Sequence, residues 1–205
     1  EYKKRIIIDD QKEKFDFHTS FMMLEPLFNF EPYKLNVRFN YLINPNNKKW
    51  GNYFKKYNKN KKIGLVLTTK TTESRNIQFN LIKKLIKIKS SYNFFLIDQA
   101  PSSEPVNFEK KQSNFFILSK IDKQKPFFDT YSIINYLDIL ISVDTATSHL
   151  AGYLGKKTYL ILHKPNHYYW GIKSKKSIFY KNHILIRQKK PGNWTNVVDD
   201  LIKKI

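Results

Sequence analysis

From about residue 63 to the C-terminus, short apolar runs alternate with longer stretches in which apolar positions recur every three or four residues. Residues 63–67, 93–97, 115–118, 139–143, 157–162 and 183–187 are rich in Ile, Leu, Val and Phe and too short for helices, so they read as buried strands. Residues 77–88 put Leu81, Ile82, Leu85 and Ile86 on one side and lysines on the other, the stripe of a helix lying on a sheet. Residues 126–137 and 194–205 carry the same period, with caps expected at Asp129 or Thr130 and near Asn193. Strand followed by helix, repeated, predicts an α/β fold: a Rossmann-like parallel sheet with flanking helices and right-handed crossovers.

Upstream the pattern weakens. Residues 5–8 read as a short strand, residues 21–28 as an apolar stretch broken by Pro26, and residues 30–45, with no sustained period, as a connection. A helix is then expected over 46–57, where Trp50, Tyr53, Phe54 and Tyr57 fall at helical spacing. That stripe reads as packing in preference to a base-stacking platform. The expected organisation is therefore a first unit over 1–45 and a second over 46–205.

The stretch 139–155 is where the pattern points to chemistry. Five apolar or small residues end at Asp144, which sits where a helix N-cap belongs. From Thr145 the period turns helical, with Ala146, Leu150 and Leu154 four apart as the expected sheet-facing side and Gly155 as the stop. A strand feeding straight into a helix offers free N–H groups and the positive end of the dipole, a place for a phosphate or diphosphate. Thr145 and His149 share a face beside those amides. The plainer alternative is that Asp144 only caps and His149 is an ordinary surface histidine. After the strand at 63–67, the loop 68–75 supplies Thr hydroxyls with Lys70 and Arg75, a point charge and a bidentate fork suited to phosphate oxygens. It lacks the Gly-x-x-x-x-Gly-Lys pattern of a P-loop. Residues 163–170 form an aromatic, His-rich loop that should reach the same edge of the sheet.

Composition narrows the choice. The 205 residues are enough for one α/β domain plus an extra segment. There is no Cys, which removes disulfides, thiol nucleophiles and Cys-type zinc sites. No apolar run approaches the roughly 18 residues that span a bilayer. The net charge of +20, from 37 Lys and Arg against 17 Asp and Glu, would suit nucleic acid, an anionic membrane surface or a phosphorylated ligand. The excess is mostly Lys scattered among Asn and Ile, which an AT-rich coding sequence would also produce at permissive surface positions. No nucleic-acid motif accompanies it. The chain starts at Glu1 without a Met, so it is expected to be a piece of a longer protein.

Asp144-Thr145-Ala146, then His149-Leu150-Ala151-Gly152, Leu154-Gly155-Lys156, all preceded by Leu137-Asp138 and Ile141-Ser142-Val143, resemble the donor-site motif of glycosyltransferase family 9. That family holds the ADP-heptose heptosyltransferases and related domains fused to tetratricopeptide repeats. Phe128-Asp129-Thr130, Trp170, Phe179-Tyr180, Arg187-Gln188 and Pro191-Gly192-Asn193-Trp194 fall in the order of the repeat-associated branch, and the likeness runs from about His18 onward.

The resemblance implies a two-lobed GT-B enzyme: the tail of the acceptor lobe and a linker over 1–45, and the nucleotide-sugar-binding lobe over 46–205. It implies that Thr145 and Ala146 amides hold the diphosphate of a nucleotide sugar such as ADP-heptose, and that His149 donates to a phosphate or sugar oxygen. Asp144 would orient sugar hydroxyls, Lys70 and Arg75 would offset charge, and Phe127 and Phe128 would meet the base. Arg75 matches an Arg of the family, whereas Leu67-Thr68-Thr69 stands where the family has Trp-Ser-Gly. His18 is a candidate catalytic residue of the cleft, with a simple helix-capping role as the alternative. The base of related enzymes lies early in the acceptor lobe, which this chain would largely lack. No cofactor and no metal are implied. The acceptor would be a glycan such as a lipopolysaccharide core, a lipid-linked sugar or a protein, and the location cytoplasmic, with peripheral contact at the inner face of the membrane left open. Rival readings are a non-catalytic nucleotide-binding module, a basic nucleic-acid-binding domain, and a GT-B epimerase acting on a UDP-sugar.

Overall fold

A computed structural model describes residues 48–69, 72–98, 100–122 and 126–205. The expected 1–45 unit, its strand and apolar stretch, His18 and Lys70 lie outside the described residues. Within them, six strands are joined through helices: α1 (Lys48–Lys55), β1 (Lys62–Val66), a short 3-10 turn (Glu73–Arg75), α2 (Phe79–Ile88), β2 (Asn93–Leu96), α3 (Ser103–Glu109), β3 (Phe115–Ile117), α4 (Pro126–Tyr136), β4 (Ile139–Val143), α5 (Ala146–Tyr153), β5 (Thr158–Leu162), a second 3-10 turn (Tyr168–Trp170), β6 (His183–Arg187) and α6 (Thr195–Lys204).

All strand pairs are parallel, in the order β3-β2-β1-β4-β5-β6. Ile63 of β1 registers with Phe94 of β2 on one side and Ile139 of β4 on the other. A sheet with no polar face must be covered twice, and alternate residues of each strand feed two cores. Ile63, Leu65, Phe94 and Ile141 pack with Phe79, Ile82, Leu85 and Ile86 of α2 and Val197, Val198 and Leu201 of α6. Val66, Phe95 and Leu140 pack on the opposite side with Trp50 and Phe54 of α1, Ile133 and Ile134 of α4 and Ala151 of α5. The aromatic stripe of α1 is packing: Phe54 stacks on Tyr136 at 5.5 Å and Tyr57 meets Phe95 edge-on at 5.0 Å. Buried polar groups tie the layers together. Asp129 is in the first turn of α4, inside the helix, and accepts from the Asp122 N–H at 2.8 Å and from Lys49 Nζ at 3.0 Å, joining α4 to α1. The Asn114 amide donates to the carbonyls of Ile86 and Tyr92 at 3.3 and 3.0 Å, closing the end of α2.

Three local readings need correction. Residues 98–104 read from the sequence as a loop at the carboxyl end of the second strand, yet α3 starts at Ser103. Pro105 hides that helix, although proline is tolerated in a first turn whose N–H groups lack helical partners. The N-cap of α5 is Thr145, not Asp144. And of the expected sheet-facing positions of α5, Leu150 and Leu154 pack against the second core but Ala146 is exposed, and the fully buried residues are Ser148, Ala151 and Gly152. The end of α5 is as expected: Gly155 has φ of 64°, its N–H bonds the Gly152 carbonyl at 3.0 Å and that of Lys156 the Ala151 carbonyl at 2.9 Å, a Schellman closure.

Gly64 lies mid-strand where a Cβ would collide with Leu137 and come within 3.0 Å of Leu140 Cδ1. Gly64→Ala is therefore expected to destabilise by about 1–3 kcal/mol through overpacking, despite alanine's lower backbone entropy cost. A urea midpoint equal to or above wild type would show that α4 and β4 do not press on β1 there.

Candidate functional site

The strand order reverses at β1, whose neighbours are β2 and β4. In open parallel sheets the crevice outside the carboxyl ends of the strands at such a reversal is where ligands bind. An open cavity of about 840 Å³ lies there. It is lined by Val66 to Thr69 after β1, Leu96 to Asp98 after β2, Gln78 and Phe79 at the start of α2, and Thr145 and Thr147 at the tip of α5.

The tip itself is built by β4. Ser142 is fully buried, and its Oγ lies 3.3 Å from Thr145 Oγ1. Thr145 is extended, at φ −146° and ψ 166°, as a cap must be. Ser148 Oγ accepts from the Thr145 N–H at 3.4 Å and donates to the Thr145 carbonyl at 2.7 Å. Ser148 and His149 turn their N–H groups to that same carbonyl, at 3.0 and 3.4 Å. The first-turn amides of Ala146 and Thr147 have no acceptor within the helix, and Thr145 and Thr147 line the cavity at the positive dipole end.

With Thr145 capping, the Asp144 carboxylate is released for other work. It is 4 % exposed, accepts from Tyr169 Oη at 3.4 Å on Oδ2, and has His149 Nε2 3.9 Å from Oδ1. His149 is not in a packed core: its side chain keeps 39 % of its exposure. Its ring stacks on Trp170, centroids 5.1 Å apart and planes at 24°, and its Nδ1 lies 3.0 Å from Tyr180 Oη. Burial lowers its pKa, and Asp144 partly opposes this. The lowered value favours the neutral ring, and with Nδ1 facing the Tyr180 hydroxyl and Nε2 facing the Asp144 carboxylate, the tautomer protonated on Nε2 satisfies both neighbours. Burial, followed by the Asp144 charge, pushes the Tyr169 phenol up to about 12, so it stays a donor.

Arg75, in the turn after β1, bonds through Nη2 to His167 Nε2 of the loop after β5. His163, at the start of that loop, is held below the ordinary histidine value by burial and then by Arg75, with Asp144 opposing. Three strand ends thus converge: Arg75 from β1, Asp144, Thr145, Ala146 and His149 from β4, and the His-rich loop from β5. Phe127 and Phe128 stand apart from this ring cluster, 58 % and 57 % exposed on the first turn of α4. Among the described residues, no group of His, Cys, Asp or Glu is arranged to hold a metal, and no helix is long and apolar enough to cross a membrane.

Tyr169 and Tyr180 are site residues that the sequence reading did not single out, and neither are His163 and His167 individually. The loop 163–170 was placed on the ligand edge, so three of the four were within reach. Tyr180 was named only with Phe179 as part of the resemblance and without a role, since nothing in spacing links it to His149 31 residues away. A local signal of the contact was Gly152 inside a short helix, where any Cβ would strike the Tyr180 ring.

His183 braces the same group from beneath. It is fully buried, its Nε2 bonds the Ser148 carbonyl at 3.0 Å, and burial drives its pKa to about 4. Its folded value is below the ordinary 6.5, so the unfolded chain takes a proton first as pH falls. Stability should be full above about pH 6.5 and decline by about 3 kcal/mol toward pH 4, the fall that a shift of this size implies. Urea midpoints at both pH values for wild type and His183→Gln should show the steeper loss in wild type, with His149 and His163 contributing to both. Parallel pH slopes would contradict the neutral, buried assignment.

No protein-family model matches the sequence, and no curated protein matches it. Solved structures do. The E. coli heptosyltransferase WaaC with ADP aligns at TM-score 0.53 and 17 % identity, over 71 % of this chain and 44 % of that one. WaaC with ADP-2-deoxy-2-fluoro heptose aligns at 0.56 and 13 %, over 89 % and 53 %. A family 9 glycosyltransferase from Veillonella parvula aligns at 0.56 and 12 %, over 75 % and 48 %. The chain spans about half the length of these structures. At such identities the likeness is one of fold: this chain has the Rossmann-like parallel α/β architecture found in family 9 heptosyltransferases of the GT-B type.

Proposed function

We propose that the chain is the donor-binding lobe of a glycosyltransferase that takes a nucleotide-diphosphate sugar, with ADP-heptose the favoured donor. The observation that carries this reading is the capped tip of α5, set at the strand-order reversal with its free amides on an 840 Å³ cavity. That volume suits a ligand of several hundred Å³. Two of the similar structures carry ADP or an ADP-heptose analogue, which supports the nucleotide assignment.

We assign the following roles. Ala146 and Thr147 amides receive the diphosphate, and Arg75 and Lys70 offset its charge. His149, neutral and walled by Trp170, offers its Nε2 proton to a phosphate or sugar oxygen. Asp144, whose charge is repelled by phosphate, serves sugar hydroxyls instead. As the bond to the leaving diphosphate breaks, charge grows on its oxygens, and fixed amides and the guanidinium stabilise that charge without a metal. Phe127 and Phe128 remain candidates for the base, and His18 for the acceptor side of the cleft. The acceptor is a glycan, a lipid-linked sugar or a protein. A non-catalytic nucleotide-binding module is the second reading, because one lobe of this kind binds a donor without turning it over.

Titration calorimetry with ADP, in the presence of EDTA, tests the assignment. Loss of one charge-assisted hydrogen bond costs about 1.5–3 kcal/mol, so Arg75→Ala and His149→Ala should each weaken ADP by about 10- to 100-fold. Equal, weak binding by wild type and both variants would remove it.

A further inference from the structure

The segment that runs back along the edge strand β6 is unlike the rest of the surface. From residue 145 to residue 198 the chain has ten Lys or Arg and no Asp or Glu. Of the seven large hydrophobic side chains exposed among the described residues, three lie on this segment: Tyr168 at 64 %, Ile172 at 85 % and Ile178 at 48 %. An open groove of about 300 Å³ lies between the segment, β6 and α6. Beside apolar residues of β6 it is lined by Lys173, Lys175, Arg187 and Lys204 against a single carboxylate, Asp200. None of these four cations forms an ion pair among the described residues. The groove shares no lining residue with the 840 Å³ cavity. The segment is also braced. The Leu185 N–H donates to the Lys175 carbonyl at 2.9 Å, and Lys176 pairs antiparallel with Ile184. Arg187 Nη2 donates to the carbonyls of Trp170 and Gly171 at 2.6 and 3.1 Å, and Gly171, at φ 67°, makes the turn that leads to Ile172. What the turn exposes is therefore held out by structure.

We propose that this edge docks on an anionic membrane surface, with Ile172 entering the acyl boundary and the lysine groove holding a lipid phosphate. Three partner chemistries suit a basic groove, and the isoleucines decide among them. A soluble polyphosphate would use the lysines and leave Ile172 and Ile178 in water. A nucleic acid would use the lysines and stack a base on Tyr168, again with no use for the isoleucines. An anionic bilayer engages every one of these features. Apolar tips enter the interface, a tyrosine ring rests at headgroup level, and lysine stems lie along the apolar boundary while their ammonium groups reach phosphate. Exposed apolar side chains rimmed by lysines are also what a soluble domain otherwise avoids. The inference goes beyond the donor-site reading and does not depend on it.

The test is co-sedimentation of the full chain with vesicles of phosphatidylcholine, alone or with about one third phosphatidylglycerol, at about 0.1 M salt. The variants are Ile172→Ser, the double change Lys173→Gln/Lys175→Gln, and a matched control, Lys87→Gln/Ile88→Ser. The control removes another exposed isoleucine beside a lysine, at the end of α2, where neither residue lines the groove. Wild type should bind the anionic vesicles at least about tenfold more tightly than the neutral ones. Ile172→Ser should lose about tenfold, the lower end of what burying one isoleucine contributes. The double lysine change should lose about 25-fold, near fivefold for each charge at the surface. The control should bind as wild type, and unchanged circular dichroism spectra show that all are folded. Absence of binding to anionic vesicles, an equal loss in the control, or wild-type binding by Ile172→Ser overturns the proposal. In the last case, displacement of the chain from vesicles by inorganic triphosphate or RNA would assign the lysines to a soluble polyanion. ADP affinity should be the same in wild type and all variants. A chain that binds vesicles but not ADP keeps this docking edge and loses the donor reading, and the reverse result does the opposite.

Discussion

Trp170→Ala is expected to cost about 3–5 kcal/mol of stability, a large part of the 5–15 kcal/mol that holds a typical domain. Trp170 is 2 % exposed and rests on Leu160, Leu162 and Leu185. It is also the middle layer of a stack, with His149 at 5.1 Å and 24° and His183 at 6.3 Å and 12°. Truncation leaves a cavity under one histidine and beside the other. The His149 pKa, lowered mainly by burial, should return toward 6.5 as water enters, which an NMR titration would follow. Trp170→Phe separates packing from hydrogen bonding. Phenylalanine retains a stacking ring but gives up the indole N–H that acts on the Tyr169 hydroxyl. It should be far milder than alanine. A Trp170→Ala variant with wild-type stability and an unmoved His149 titration would mean that the stack does not hold the site.

The second large effect is one in which stability and binding move in opposite directions. Thr147 is in the first turn of α5 and lines the cavity. Thr147→Asp puts a carboxylate at the positive end of the helix, which favours the helix by about 0.3–1 kcal/mol. The same carboxylate opposes a diphosphate. At about 6 Å and an effective dielectric of about 20, each charge pair costs about 3 kcal/mol, close to a hundredfold in Kd. Thr147→Asp should therefore be as stable as wild type or more so, and bind ADP about 100-fold more weakly. Thr147→Asn, of the same shape and uncharged, should keep most of the affinity. If the Asp and Asn variants bind alike, no phosphate approaches this helix end.

Much of the scaffold could be read from the chain because its signals are local. Residues 139–143 and 183–187 are strands with the expected bounds, since each is a closed apolar run between polar residues. The stop at Gly155 needed only one glycine at a positive φ. The misreadings have physical causes. Asp144 and Thr145 are both good capping residues, and the deciding contact is Ser148, three residues after Thr145, where Glu or Gln is the usual partner. The buried side of α5 is Ser148, Ala151 and Gly152, a helical stripe too polar and small for a hydrophobicity pattern to mark. It is small because Tyr180 must lie against Gly152 to reach His149. Contacts of that kind, joining β4 to the segments around β5 and β6, are long-range and leave no periodicity behind. Hence the helix tip was legible and the rings that hold its histidine were not.

The most direct measurement is the amide NMR spectrum of the isotopically labelled chain titrated with ADP. If the tip of α5 holds the diphosphate, the Ala146 and Thr147 amide protons should shift downfield in a saturable manner, with Arg75 and His149 side-chain signals moving at the same midpoint. Saturable shifts confined to another surface, such as the basic groove of Lys173, Lys175, Arg187 and Lys204 beside β6 and α6, with the α5 amides still, would contradict the account.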